Sequence, residues 1–213
     1  EFRDKINLSA INSINWARLM PQVVYYFAAA LRLGAPAKKV AFSVPTGNFG
    51  NVFAGYVAVQ MGLPVERLII ASNRNDILPR FFASGAMAPE AVVPSLSPSM
   101  DIQVSSNFER LLFELLDRDG VATADVMKQF SETGQFHVDD PVLARAKALF
   151  SAYRLDDDGT IAEIAATAKN NNMTIDPHSA VGVYAARQAH ADGTVSADVP
   201  IVALACAHPA KFD

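Results

Sequence analysis

The sequence predicts an α/β fold, with a parallel sheet and helices on its faces, and three observations predict it. Residues 39–44 read as a short buried strand closed by Pro45, and residues 67–71 read as another. A turn and a helix-length apolar segment ending near Gly62 connect them. This strand–loop–helix–strand order is the repeat unit of a parallel sheet. Helical and strand patterns then alternate to a last buried strand at 200–206.

The remaining elements follow from punctuation and periodicity. Residues 16–33 are apolar and helix-length, with Gly34 as a stop and Pro36 just beyond; Pro21 is expected in the first turn, where a missing amide costs little. Residues 76–84 form a short helix, and the aperiodic, proline-containing stretch 89–100 is a connecting loop. Ser106-Asn107-Phe108-Glu109 has capping-box spacing ahead of an apolar stripe at Leu111, Leu112, Leu115 and Leu116. Further helices are predicted at 122–133 and 141–153, and a second capping box opens one at Thr160. Residues 173–175 are a candidate short strand. Asp176 then caps a helix whose first residue is Pro177 and which ends near Gly193. The chain divides into an α/β part at 1–105, a helical insertion on one side of the sheet at 106–155, and the remainder of the same α/β domain at 156–213.

Composition narrows the class. The 213 residues are 51% hydrophobic and 19% charged, in the range of globular proteins. No apolar run is long enough to cross a bilayer, and the charged start Glu1-Phe2-Arg3-Asp4-Lys5 has no signal-peptide core. A net charge of −4 argues against general affinity for nucleic acid or anionic membranes. The single cysteine, Cys206, permits no disulfide framework. A cytoplasmic metabolic protein is the expectation. His137, His178, His190 and His208 lie far apart, and none has a second ligand at metal spacing. Asp156-Asp157-Asp158-Gly159 lacks the alternate acids of a calcium loop and reads as a solvated turn.

The chemistry is concentrated in Thr46-Gly47-Asn48-Phe49-Gly50-Asn51, which follows a buried strand and opens a helix. Such a turn aims several backbone N–H groups at one spot, where the helix dipole adds positive charge. The glycines allow close approach, and the asparagine side chains can add donors; phosphate is the natural ligand. It is not a P-loop, because Asn51 and not lysine follows Gly50. The three-glycine dinucleotide fingerprint is also absent. A tight turn that binds nothing is the alternative.

Seven blocks, in order, resemble threonine synthase of the longer, microbial and fungal type. They are Asn12-Ser13-Ile14-Asn15-Trp16-Ala17-Arg18, Phe42 through Asn51, Asn73-Arg74-Asn75-Asp76-Ile77-Leu78, Leu96 through Ile102, Ser105 through Arg110, Asp176 through Gly182, and Ala207-His208-Pro209-Ala210-Lys211-Phe212. The resemblance implies a three-layer, fold type II domain and the cofactor pyridoxal 5'-phosphate (PLP). It implies conversion of O-phosphohomoserine and water to threonine and phosphate. It implies that Gly47, Asn48, Phe49, Gly50 and Asn51 hold the cofactor phosphate, and that Asn12, Ser13, Asn15 and Arg18 hold the substrate phosphate. A guanidinium suits that task. The residue before Ala207 is usually threonine in this family, its hydroxyl meeting the pyridine nitrogen; here it is Cys206, a weaker hydrogen-bonding partner. A small buried residue filling space is the other reading of Cys206. His178, in the first turn of its helix, is expected to stand behind the cofactor's edge.

The family's Schiff-base lysine belongs to a phenylalanine–lysine–aspartate segment that this sequence lacks. Lys5, Lys38, Lys39, Lys128, Lys147, Lys169 and Lys211 all stand in other contexts. The catalytic lysine is therefore expected in an upstream half of the same protein, and the chain alone is expected to be inactive. The alternatives are a non-catalytic anion-binding fragment and a related lyase acting on another amino-acid substrate.

Overall fold

The computed structural model describes residues 15–205 and 207–212. Helix α1 (Trp16–Arg32) opens it. Asn15 caps the helix by accepting from Ala17 N at 2.9 Å, which satisfies an amide that a helix start leaves bare. Pro21 lies inside the helix, beyond the first turn, where it deletes an interior hydrogen bond. The expectation of a first-turn proline is thus corrected.

Strands β1 (Val40–Pro45) and β2 (Val65–Ser72) are joined through α2 (Gly50–Gln60), as expected. They pair in parallel, with Phe42 opposite Leu68 and Val44 opposite Ile70. Helix α3 (Ile77–Ser84) follows. Strands β3 (Ala86–Met87) and β4 (Phe136–His137) form a small antiparallel ribbon beside α4 (Phe108–Leu115) and α5 (Gly120–Thr133). Helix α6 (Asp140–Leu149) runs straight into β5 (Phe150–Arg154). Helices α7 (Asp157–Asn171) and α8 (Pro177–Ala191) precede β6 (Ile201–Ala203). The main sheet has the order β5-β2-β1-β6 and every pairing in it is parallel.

Alternate strand residues face two helical layers. Phe42, Val44, Leu68 and Ile70 join a core with Leu19 and Tyr26 of α1, Phe53 of α2, Phe81 of α3 and Leu111 of α4. Ala41, Ile69 and Ala71 face the other way, against Val181, Ala185 and Ala189 of α8. A sheet covered on both faces needs strands that are apolar throughout, and all six residues of β1 are buried.

Four sequence expectations change. The helix read at 141–153 stops at Leu149, and residues 150–154 become an edge strand with Phe150 opposite Leu68. The helical stretch placed at 106–155 therefore ends inside the main sheet, because cross-strand pairing overrides a helix-compatible sequence. No strand forms at 173–175; Asn172 takes a left-handed conformation (φ 51°) and ends α7, and the chain passes to α8 as a loop. Neither capping box forms as spaced. Helix α4 starts after Asn107, which makes no side-chain cap, and α7 starts after Asp156, which accepts from Gly159 N at 2.9 Å. The acidic run 156–158 is thus the cap and first turn of α7, not a separate solvated turn. Asp176 and Pro177 open α8 as predicted, Asp176 accepting from the amides of His178 and Ser179. No helix among the described residues is long and apolar enough to cross a membrane.

Helix α1 touches α2 closely at Gly55. A Cβ there would lie 2.6 Å from Tyr26 Cε1 and 2.9 Å from Leu68 Cδ2, inside van der Waals contact with a fully buried ring. Gly55→Ala is therefore expected to destabilise the chain by about 1–3 kcal/mol, read as a lowered midpoint in urea unfolding.

Candidate anion-binding site

The site is made where β1 ends and α2 begins. Phe49, at the N-cap of α2, has φ 68°, a left-handed conformation that costs a non-glycine residue about 1–2 kcal/mol. Burial offsets that cost: the Phe49 ring is fully buried, 5.2 Å from the ring of Phe108 and 5.9 Å from that of Phe150.

The backbone of the turn is asymmetric in its hydrogen bonding. Among the described residues, no protein acceptor receives a hydrogen bond from the amides of Gly47, Asn48, Phe49, Gly50 or Asn51. The carbonyls, by contrast, are engaged. Ser105 Oγ donates to Gly47 O at 2.7 Å. Asn107 donates to Asn48 O from its backbone N at 3.0 Å and from Nδ2 at 2.9 Å. Phe53 N donates to Phe49 O, and the Tyr26 hydroxyl donates to Asn51 O at 2.7 Å. Carbonyl dipoles tied to the protein with bare amides beside them leave positive potential at a helix start, the arrangement that binds anions.

Side chains fix this shape. Asn51 Oδ1 accepts from Thr46 Oγ1 and from Val52 N, while its Nδ2 donates to Pro45 O at 2.6 Å. The Asn51 amide group is thus consumed within the turn, and its backbone N–H is the donor left for a ligand. This corrects the expectation that both asparagine side chains add donors. Asn48 Oδ1 accepts from Ser106 Oγ at 3.2 Å. Gly47 must lack a side chain, because a Cβ would sit 2.8 Å from Ile102 Cγ1 and 3.2 Å from Met100 Cα.

The turn lines a cleft of about 330 Å³ with Arg18 and Gln22 of α1, Ser99, Met100 and His178. A second cleft, of about 770 Å³, shares Arg18, Gln22 and Asn51 with it and extends to Leu204 and Ala205 at the end of β6. Gln22 Oε1 is buried and has no hydrogen-bond partner among the described residues, a polar atom left for something in the cleft. Among the described residues, no lysine lines either cleft. Of the residues singled out by sequence, the structure brings Arg18 and the 47–51 turn together. Asn15 spends its side-chain oxygen on the α1 cap. Asn12, Ser13 and Cys206 lie outside the described residues.

Two polar clusters hold the far wall. His178, almost fully buried, takes Ser99 N–H on Nε2 at 3.3 Å, and Nδ1 lies 3.0 Å from Asp176 Oδ1. That network assigns the ring proton to Nδ1, so His178 clips the 95–101 loop to the start of α8. Asp101 Oδ1 accepts from Asn73 Nδ2 at 2.8 Å, Asn75 Nδ2 at 2.9 Å and Ser95 Oγ at 2.6 Å. Gln22, Ser99 and Met100 were not singled out as site residues by sequence. The capping-box spacing at 106–109 drew attention to the right segment for the wrong reason: its polar side chains serve the turn.

The parallel sheet with helices on both faces, and a turn of unengaged amides at a strand end, places the chain in the fold class of the fold type II PLP enzymes. Maize serine racemase shares that fold at a TM-score of 0.60 and 13% identity. Residues 179–213 match the family model described as threonine synthase, C-terminal. The chain is 53% identical over 205 residues to threonine synthase of Pseudomonas aeruginosa, covering 96% of this chain and 43% of that protein. It is 42% identical over 229 residues to that of Saccharomyces cerevisiae, covering all of this chain and 44% of that protein. The crystal structure of PLP-bound threonine synthase from Brucella melitensis superposes with a TM-score of 0.93 at 53% identity, over 99% of this chain and 44% of that one. The chain is thus similar to the C-terminal part of threonine synthases, and it spans less than half the length of these relatives.

Asn51→Ala would remove the three side-chain hydrogen bonds that close the turn. A loss of about 1–3 kcal/mol in unfolding free energy is expected, measured by chemical denaturation.

Proposed function

We propose that this chain is the phosphate-binding part of a threonine synthase, which converts O-phosphohomoserine and water to threonine and phosphate with PLP. The observation that carries this reading is the row of five unengaged amides from Gly47 to Asn51, facing a cleft that Arg18 also lines. The fit to a phosphate-bearing cofactor is good: a dianion needs several convergent donors, and a turn at the start of a helix supplies them without a counter-charge. Gly47, Asn48, Phe49, Gly50 and Asn51 would hold the cofactor phosphate through their backbone N–H groups. Cys206 would meet the pyridine nitrogen; the adjacent Ala205 lines the cleft that Asn51 shares. When bound, PLP supplies an electron sink for proton removal at the substrate's α and β carbons and for loss of the γ-phosphate.

The chain's own residues hold and orient. Arg18, with Asn12, Ser13 and Asn15, would take the substrate phosphate, so that two phosphates are held on either side of one cleft. The Asp101 and His178 clusters hold the 95–101 loop, so that Ser99 and Met100 close the cleft's far side. The base that moves protons would be a lysine from an upstream half of the protein, and the cytoplasm is the expected compartment.

Two outcomes test this. The purified 213-residue chain is expected to release no threonine from O-phosphohomoserine in the presence of PLP, whereas the full-length polypeptide makes threonine and phosphate in equal amounts; turnover by the chain alone would overturn the division of roles. In the full-length polypeptide, Arg18→Ala is expected to raise KM for O-phosphohomoserine by about 10–100-fold, the loss of a charge-assisted hydrogen bond, with the visible absorbance of bound PLP unchanged.

A further inference from the structure

Arg18, Gln22 and Tyr26 are spaced four residues apart on α1, so they fall along one strip of the helix with about 6 Å between neighbours. Tyr26 ties one end of this strip to the turn, its hydroxyl donating to Asn51 O at 2.7 Å. Gln22 is one helical turn from that tie and one helical turn from Arg18. The two clefts meet here: Arg18, Gln22 and Asn51 line both. Gln22 Oε1 is buried at this junction and accepts no hydrogen bond among the described residues.

The cleft lining is rich in donors and poor in acceptors. Among the described residues the amides of 47–51 are unengaged, and a guanidinium only donates. The neighbouring acceptors are taken. Asn51 Oδ1 receives Thr46 Oγ1 and Val52 N, Asn48 Oδ1 receives Ser106 Oγ, and His178 Nε2 receives Ser99 N. Phosphate suits the donors, but an unprotonated phosphate carries no hydrogen for Gln22 Oε1. A buried acceptor left unmatched disfavours any set of ligands that leaves it so. The full set therefore includes a hydrogen-bond donor at Gln22. The substrate's amine is committed to the cofactor's aldehyde. The other donor that the reaction brings is water, which it consumes.

We infer that Gln22 holds the reacting water where the two clefts meet. A bound water needs about two to four polar partners. Gln22 Oε1 accepts one of its O–H bonds, and Arg18 and the Asn51 amide supply donors beside it. An acceptor on one O–H fixes the water's orientation and leaves a lone pair for carbon. Over the whole reaction the γ C–O bond breaks with its electron pair leaving on phosphate, and a proton moves from Cβ to Cγ. The water oxygen bonds to Cβ, and its other hydrogen leaves through the base as the proton that the released phosphate carries away. A neutral carboxamide suits this place, because a carboxylate would repel both phosphates and an ammonium would bind them. The inference deepens the threonine synthase reading and rests on it for the reaction.

The full-length polypeptide with PLP tests it, with threonine, phosphate and 2-oxobutanoate all measured from O-phosphohomoserine. Where water fails to add at Cβ, the unsaturated amine left by phosphate loss is hydrolysed at C2 to 2-oxobutanoate and ammonia. Gln22→Met fills similar space without a hydrogen bond. It is expected to raise the ratio of 2-oxobutanoate to threonine about 3–10-fold, with KM within about 2-fold and PLP absorbance unchanged. Gln22→Glu keeps an acceptor oxygen and is expected to restore the product ratio while raising KM, since its carboxylate faces phosphate. An unchanged product ratio in Gln22→Met would overturn the inference; a rise in KM alone would do so by making Gln22 a contact of the substrate phosphate. In a crystal structure of the unsubstituted PLP-bound polypeptide, an ordered water is expected about 3 Å from Gln22 Oε1. A protein donor from the upstream half on that oxygen would overturn the inference. An unsubstituted polypeptide that releases neither phosphate nor threonine removes the threonine synthase reading itself, whereas normal turnover with an unchanged Gln22→Met ratio removes the water site alone.

Discussion

The structure depends on the turn at 47–51 having its carbonyls bound to protein and its amides unengaged among the described residues. Backbone polar groups that are buried are almost always paired, so a row of unengaged donors is costly unless solvent or a ligand meets them. The fold holds this arrangement from three directions. Ser105 and Asn107 bind the carbonyls from the α4 side, Tyr26 reaches across from α1, and Asn51 closes the turn on itself. Each tie is ordinary in strength. Together they prevent the turn from relaxing into one that satisfies its own amides.

That constraint explains features far from the turn. Phe49 holds a left-handed backbone because its ring is fixed among Phe108 and Phe150, one from α4 and one from the edge strand β5. The sheet's outer strand thus takes part in shaping a site at its centre. Gly55 lets α1 lie against α2 closely enough for the Tyr26 hydroxyl to reach Asn51. Gly182 does the same on the opposite face: a Cβ there would be 2.8 Å from Pro45, the residue that starts the turn, and its carbonyl accepts from Ser43 Oγ at 2.6 Å.

Much of this was legible in the sequence, for definite reasons. The β1–turn–α2–β2 unit is encoded locally, by apolar runs and by the Gly47 and Gly50 punctuation, so its elements fell where expected. Asp176 and Pro177 marked the start of α8 because a cap and a proline act within one turn of chain. What was not legible depends on distant partners. Phe150-Ser151-Ala152-Tyr153-Arg154 is compatible with the helix before it, and only Leu68 through Ser72 opposite make it a strand. The residues around Ser106 and Glu109 have the spacing of a cap, but Ser106 and Asn107 donate instead to Asn48. Gln22 reads as an ordinary polar helix residue; its unpartnered oxygen is visible only once the cleft around it exists. The proposal that 47–51 bind a phosphate needed no family resemblance, whereas the proposal for Arg18 did, since a lone helix arginine carries no local sign of a ligand.

The same physics accounts for a chain that can be well folded and chemically incomplete. Binding a dianion at a helix start requires only backbone geometry, which the main sheet and its two helical layers secure within these residues. Moving protons requires a side-chain base within hydrogen-bond reach of the reacting carbons, and among the described residues no lysine lines either cleft. The two requirements can reside on different stretches of chain provided the surface between them is specified. The outer side of α1 leaves Trp16, Met20, Val24, Tyr25 and Leu31 exposed, and Arg18 and Gln22 on the same helix line the cleft at the turn. One helix thus carries both exposed apolar surface and two of the side chains that line the cleft.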